Sequence, residues 1–324
     1  MNVMNSIRDD IFHSIEKYFE LKVVDHQQIK LGYRNLKWEI HTSGESLFVK
    51  QYHKGRYPEH LIPGLEASLR TQARLWELNL PVPRPYSFKG QYMIHSSNGE
   101  NFMVTEKCPG KNRAPGTLNE VQMYNLGKAV GEMHTALDTL LPDSEVLHWD
   151  IRSKEDMIED WNERWQEAES VGCEKTLSYL KDQFLVLDQN DTEQFSACEV
   201  GWSHWDLFVD NILFEGDEVS AILDFDRLNI VYRDFDIARP ILSGCVSNQK
   251  LNVKSAIAFV NGFRKYQPLT IERVVRALKL NWWREAEWLS VPKPGRSAVL
   301  TRFNDENRWV ATHWYQLEEI FSEK

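Results

Sequence analysis

Apolar and polar positions follow a strand period in the first hundred residues and a helical period afterwards. From about His26 to Tyr52 the chain reads as strands. LKWEIHT (Leu36 to Thr42) partly alternates, SGE around Gly44 supplies a turn, and SLFVKQY follows as a second strand. GLEASLRTQARLWELNL then reads as a helix that stops at PVPRP, since proline cannot extend it. Another strand pair is predicted around Tyr86 to Ile94 and Asn101 to Glu106. Beyond Pro109-Gly110, T-L-N-E (Thr117 to Glu120) has the form of a capping box. Leu126, Val130, Met133 and Leu137 then share one helical face. The acidic segment Lys154 to Ser170 is expected to be helical, as are SAIAFVNGFRKY and TIERVVRALKLNWWREAEWL. The result is an α+β chain of two lobes. A small β-rich lobe covers residues 1–104, a hinge 105–110, and a larger, mostly helical lobe 111–324. No internal repeat or low-complexity linker interrupts it.

Bulk composition narrows the function classes. A length of 324 residues with 42% hydrophobic content fits a soluble globular chain with substantial cores. A formal charge of −10 argues against nucleic acid or an anionic membrane surface as partner. It leaves open an anionic small molecule, which needs only one local positive site. No run reaches the roughly 18 apolar residues of a membrane helix. The opening MNVMNSIRDDIFHSIEKYFE reads as an amphipathic helix rather than a signal peptide. Cys108, Cys173, Cys198 and Cys245 are scattered without a C-x-x-C, which fits reduced thiols in the cytoplasm. Neither H-E-x-x-H nor G-x-S-x-G occurs, so zinc-hydrolase and nucleophile-elbow chemistry find no support.

Chemistry concentrates in HWDLFVDNILF (His204 to Phe214) and AILDFD (Ala221 to Asp226). NILFEGDEVSAILDF reads as a hairpin turning at Gly216, which brings Asn211 and Asp224 nearly opposite one another. Cross-strand partners stand about 4.5–5.5 Å apart at Cβ. Two oxygen-bearing side chains at that spacing can share a hard cation, and Mg²⁺ favours such ligands together with phosphate oxygens. Asp206, five residues before Asn211, is placed to face a hydroxyl beside the metal.

The arrangement H-x-D-x-x-x-x-N, followed by an apolar strand ending in D-F, resembles the catalytic pattern of kinase-like phosphotransferases. The chain is similar to the aminoglycoside phosphotransferase, choline kinase and type II homoserine kinase family, which has a protein-kinase-like fold. LFVKQY looks like the phosphate-binding lysine strand, FMVTEKCPG like the hinge, and LGKAVGEMHTAL like the long helix after it. RDFDIA resembles the helix start after the metal aspartate, and FVNGFRKYQPLTIE the tail of homoserine kinase-like members. The resemblance implies an ATP- and Mg²⁺-dependent enzyme that phosphorylates a small-molecule hydroxyl. Asp206 would take the hydroxyl proton, Asn211 and Asp224 would hold Mg²⁺, and Lys50 would contact the α- and β-phosphates. Backbone at Thr105, Glu106, Lys107 and Cys108 would bind adenine, and the loop Leu31 to Asn35, with Gly32 and Asn35, would cover the phosphates. Asp236 would cap a helix and brace the catalytic loop, with His204 as structural support.

The pattern also departs from its relatives. Trp205 stands where many have Gly, Asp226 replaces the Gly of D-F-G, and the phosphate loop has a single glycine. Glu66 is the acid expected to partner Lys50, with Gln72 as rival. His134 and Glu132 are read as solvated or capping. Twelve tryptophans invite two readings. Trp161, Trp165 and Trp283, together with Asp226, could wall a cationic, hydroxyl-bearing substrate through cation–π attraction, or the indoles could simply seal helix packing. Two alternatives stand beside the small-molecule kinase: a stress-response Ser/Thr protein kinase and a catalytically silent kinase-shaped binding protein. Only about ten residues separate Asp224 from Asp234, which leaves little platform for a peptide. The intact Lys50, Asp206, Asn211 and Asp224 argue against a silent protein.

Overall fold

A sheet buries both faces only when each face is covered, and the N-terminal part of the chain supplies a helix for each. The computed structural model describes residues 3–30, 34–142, 146–292 and 298–322. The chain divides into two compact units, Met1–Gly110 with Ser220–Arg227, and Lys111–Val219 with Leu228–Lys324. In the first unit, β1 (Val23–Gln28), β2 (Lys37–Thr42), β3 (Ser46–Tyr52), β4 (Ile94–His95) and β5 (Asn101–Glu106) form an antiparallel sheet of order β1-β2-β3-β5-β4. Trp38, Ile40, Leu47, Val49, Phe102 and Val104 pack against Ile11, Phe12 and Ile15 of α1 (Val3–Phe19). Tyr52 and Met103 pack instead with Leu65 and Leu69 of α2 (Ile62–Glu77). The period of two thus directs Leu47 and Val49 toward α1, and Phe48, Lys50 and Tyr52 toward the opposite face.

The expected boundary near residues 105–111 needs one correction. Ser220–Arg227 groups with the first unit, not with the helical part to which the sequence pattern assigned it. Hydrogen bonds anchor it there: Ile222 N–H donates to Pro81 O at 2.7 Å and Ser220 Oγ to Pro109 O at 2.7 Å.

The second unit is built around α3 (Glu120–Leu140). Its start shows a second correction. The capping box is made by Asn119 and Gln122, with Asn119 Oδ1 accepting from Gln122 N at 2.8 Å and Gln122 Oε1 from Asn119 N at 3.2 Å. Thr117 sits two residues too early to cap and bonds Ala114 O instead. Leu126, Val130, Met133 and Leu137 are all buried, as their spacing requires. The unit also contains α4 (Lys154–Ser170), α5 (Glu174–Gln189), α6 (Phe235–Cys245), α7 (Val253–Phe263), α8 (Ile271–Glu285), α9 (Ala298–Thr312) and α10 (Leu317–Ser322), with α7 packed on α3, α4 on α5 and α6 on α8. Strand β6 (Val200–Ser203) pairs with β9 (Asn229–Tyr232), and β7 (Ile212–Glu215) turns at Gly216 into β8 (Glu218–Ile222). Among the described residues no helix is long and apolar enough to cross a membrane.

Helices α3 and α7 meet closely because glycine lines the contact. A Cβ at Gly262 would stand 2.0 Å from Tyr124 O, and one at Gly127 would stand 2.1 Å from Phe259 O. Backbone cannot yield as a side-chain tip can, so Gly262→Ala is expected to cost at least about 1–3 kcal/mol in urea unfolding. Gly64→Ala, on the exposed side of α2 with nothing within 4 Å of the added carbon, is expected to be neutral or to gain about 0.5–1 kcal/mol.

Candidate active site

Lys50 occupies the middle of the first sheet, opposite Lys37 of β2 and Met103 of β5. Its side chain is 3% exposed, and its ammonium donates to Asp224 Oδ1 at 2.8 Å and Asp226 Oδ2 at 2.7 Å. Burial works against the charge, yet the two carboxylates prevail and hold the Lys50 pKa well above the usual lysine value. Asp226 also accepts from the phenols of Tyr52 at 2.9 Å and Tyr57 at 2.8 Å. Burial and the adjoining carboxylate push both phenols above the usual tyrosine range, so each is a neutral donor. Asp224 adopts φ +64°, a conformation that glycine takes without penalty and other residues take at a cost of roughly 1–2 kcal/mol.

These contacts revise two expectations. Glu66 does not partner Lys50, because its carboxylate accepts from Tyr92 N, Met93 N and Arg70. Nor does Gln72, whose amide donates to Pro83 O at 2.7 Å. Asp226 uses both oxygens on Lys50, Tyr52 and Tyr57, so it braces the lysine and is not available as a substrate wall.

The other positions expected on this unit lie nearby in sequence and strand. Asn35 Oδ1 accepts from His53 N at 3.2 Å, tying the entry of β2 to the end of β3. Gly32 lies outside the described residues. At the end of β5, Thr105 pairs with Phe48, Glu106 N donates to Arg84 O at 2.9 Å, and Lys107 N donates to Ser46 O at 3.1 Å. Lys107 also pairs with Glu39. Burial, aided by the Glu106 carboxylate, raises the Cys108 thiol to about 12, so it is an unreactive thiol.

The loop from His204 to Asn211 lies in the second unit and hangs on one buried carboxylate. Asp236 accepts from His204 N at 2.7 Å, Trp205 N at 2.8 Å and His134 Nε2 at 3.0 Å. His134 is fully buried, not solvated as its polarity suggested. It follows Val130 by four residues, so it lies on the apolar stripe already read from the sequence, and that was the available signal. Asp206 N donates to His204 Nδ1 at 3.3 Å, and Trp205 holds φ +62°. Asn211 Nδ2 donates to Asp206 O at 2.9 Å and Asp206 Oδ2 at 3.1 Å. The amide nitrogen of Asn211 is thus committed to Asp206. Phe208, between the two, stacks on Phe303 of α9 with centroids 4.6 Å apart and lies under the Arg239 guanidinium at 4.5 Å. Arg239 is itself buried between Glu285 and Glu306.

The tryptophans proposed as a substrate wall are packing groups. Trp283 is 1% exposed and donates its indole N–H to Arg152 O at 3.0 Å, so it has no face to offer a ligand. Trp161 stacks on Trp165 with centroids 5.1 Å apart and donates to Leu180 O at 2.8 Å, within the cluster of Ala168, Tyr179, Leu180 and Leu289.

An aspartate and a turned asparagine on one short loop, with a strand lysine held by a second aspartate in the sheet unit, are the parts of a kinase-like phosphotransferase. The sequence pattern of the phosphotransferase enzyme family (APH) matches residues 25–269, and the chain belongs to that family. It is a small-molecule kinase acting on a hydroxyl group. Relatives include the homoserine kinase of Rhizobium etli (strain CIAT 652), 23% identical over 295 residues and covering 88% of this chain and 87% of that protein. The homoserine kinase of Zymomonas mobilis subsp. mobilis is 25% identical over 309 residues, covering 90% and 91%. Among solved structures, a microcompartment-associated aminopropanol kinase matches with TM-score 0.62 at 15% identity, over 97% of this chain and 99% of that one. An amicoumacin kinase in complex with AMP-PNP and Ca²⁺ matches with TM-score 0.59 at 18% identity, over 95% and 96%. At these identities the structural likeness is one of fold.

The Asp236 cluster sets a sign for pH dependence. Burial alone would raise this carboxyl, but the hydrogen bond and charge of His134, the charge of His204 and the Trp205 N–H hold it below the ordinary carboxyl value. A group depressed in the folded state adds stability above its unfolded value and loses it as pH falls through the folded one. Asp236→Asn is expected to cost on the order of 3 kcal/mol at pH 7. Urea unfolding should show that deficit narrowing only below about pH 4.

Proposed function

We propose that the protein transfers the γ-phosphoryl group of Mg-ATP to the hydroxyl of a small amine-bearing alcohol of homoserine-like size. The observation that carries this reading is the orientation of Asn211, whose amide nitrogen is engaged by Asp206 so that its oxygen is the free end. That oxygen and the Asp224 carboxylate are hard donors suited to Mg²⁺. When bound, the metal would neutralise charge on the phosphates. Lys50, charged and fixed, would position the α- and β-phosphates, and the backbone at Thr105 to Cys108 would meet adenine.

Asp206 would accept the hydroxyl proton as the acceptor oxygen bonds to the γ-phosphorus. The bond from that phosphorus to the β–γ bridging oxygen breaks, and ADP leaves with the electron pair. Positioning and charge neutralisation would supply most of the acceleration, and the base a further 10²- to 10⁴-fold or so. The amine-bearing acceptor class is supported by relatives named for homoserine and aminopropanol, whose chains align with nearly the whole of this one.

The test is ADP release from Mg-ATP with homoserine, aminopropanol, an aminoglycoside and a no-acceptor blank. One amino alcohol should stand well above the blank, and equal rates in all four would overturn the reading. Asp206→Asn should lower kcat by about 10²- to 10⁴-fold while keeping thermal stabilisation by Mg-ATP, which reports binding to the folded state. Asp224→Ala should lose the metal-dependent part of that stabilisation.

A further inference from the structure

Lys37 has no role in the reading above, and the sheet register draws attention to it. It pairs directly with Lys50 across β2 and β3, which puts the two Cβ atoms about 4.5–5.5 Å apart with both side chains on one face. Its neighbours in β2, Trp38 and Ile40, point to the α1 side and are buried there. Lys37 is half-buried, and among the described residues it makes no ion pair. Lys50, by contrast, is satisfied by two carboxylates.

The charges around Lys37 are Asp224, Lys50, Asp226 and Arg56. Burial is the largest influence on Lys37 and lowers its pKa. The attraction of the two aspartates does not offset burial and the two cations. Both carboxylates already pair with the Lys50 ammonium, and among the described residues Lys37 has no ion pair of its own. A lysine kept there without an acidic partner weakens the empty fold and is compensated only when an anion arrives. The triphosphate is the anion that the reaction itself brings to Lys50.

We propose that Lys37 is a second phosphate-binding cation, acting beside Lys50 on the triphosphate of the nucleotide. The inference rests on the kinase reading and assigns one more side chain to its nucleotide. Lys37 touches the phosphate chain and not the adenosine, so its loss is selective. Removing it also relieves the empty protein of an uncompensated charge.

The test compares Lys37→Met, Lys37→Gln and Lys37→Arg with the unmodified chain, using Lys17→Met on α1 as a charge control. Calorimetry reads affinity for Mg-ATP and for adenosine, and thermal unfolding reads the empty proteins. Lys37→Met and Lys37→Gln should bind Mg-ATP about tenfold or more weakly, as expected for a lost charge-assisted contact. They should leave adenosine binding unchanged and melt no lower than the unmodified chain when empty. Lys37→Arg should keep most of the Mg-ATP affinity. Unchanged Mg-ATP affinity in Met and Gln overturns the proposal. So does an equal loss for ATP and adenosine, or failure of both variants to fold, since each marks a structural lysine. An unmodified chain that binds no Mg-ATP defeats the kinase reading first, and this inference falls with it.

Discussion

A charged amine persists in a protein interior only where counter-charge stands in for water, and the sheet unit is organised around meeting that condition at Lys50. Alone at this depth the lysine would lose its proton. Two carboxylates of one short segment reverse the outcome. The requirement reaches further than the contact. It draws Ser220–Arg227 into the first unit, it stabilises a left-handed Asp224, and it recruits Tyr52 and Tyr57 to complete Asp226. The lysine thereby gains the fixed partner that a helix acid was expected to supply.

The second unit meets a comparable demand with a cation of the other kind. Arg239 is enclosed by Glu285 of α8 and Glu306 of α9 while its planar face rests on Phe208 and Phe303. Buried ion triads are often no more stabilising than well-packed apolar groups of equal volume. What this one does in space is clear: it joins three helices beneath the ring that separates Asp206 from Asn211. Ser243 adds a neutral support by accepting from Val209 N at 3.1 Å. The loop is therefore held at its start by Asp236 and at its centre by α6 and α9.

Much of the site was legible because its signal is local. His204, Asp206 and Asn211 lie within eight residues, Asp224 closes an apolar strand, and Lys50 interrupts another, so spacing alone selects them. The partner of Lys50 was not legible. It lies 174 residues away on a segment that returns to the first unit, and nothing in the period of α2 signals that Glu66 is taken by backbone amides. His134 failed for a different reason. A polar residue inside a helix reads as solvent-facing unless its buried acceptor, Asp236, is known. The tryptophans misled through abundance: Trp161 and Trp283 give their indole N–H groups to backbone carbonyls of the helical unit, and Trp165 stacks on Trp161. The strands within Leu36 to Tyr52 and at Asn101 to Glu106 lie where they were read, whereas Tyr86 to Ile94 holds only the start of the two-residue β4. Helices α5, α9 and α10 were not read, and the capping motif was read two residues early.

Trp205 carries a tension of its own. Its backbone sits where glycine is at ease, while its ring is flanked by the Arg284 guanidinium at 4.5 Å and by His148 at 5.4 Å. A smaller residue would relax the main chain and at the same time give up the ring's contacts one position before Asp206. The ease that glycine would bring to the backbone is thus set against the packing that the indole supplies to Arg284 and His148.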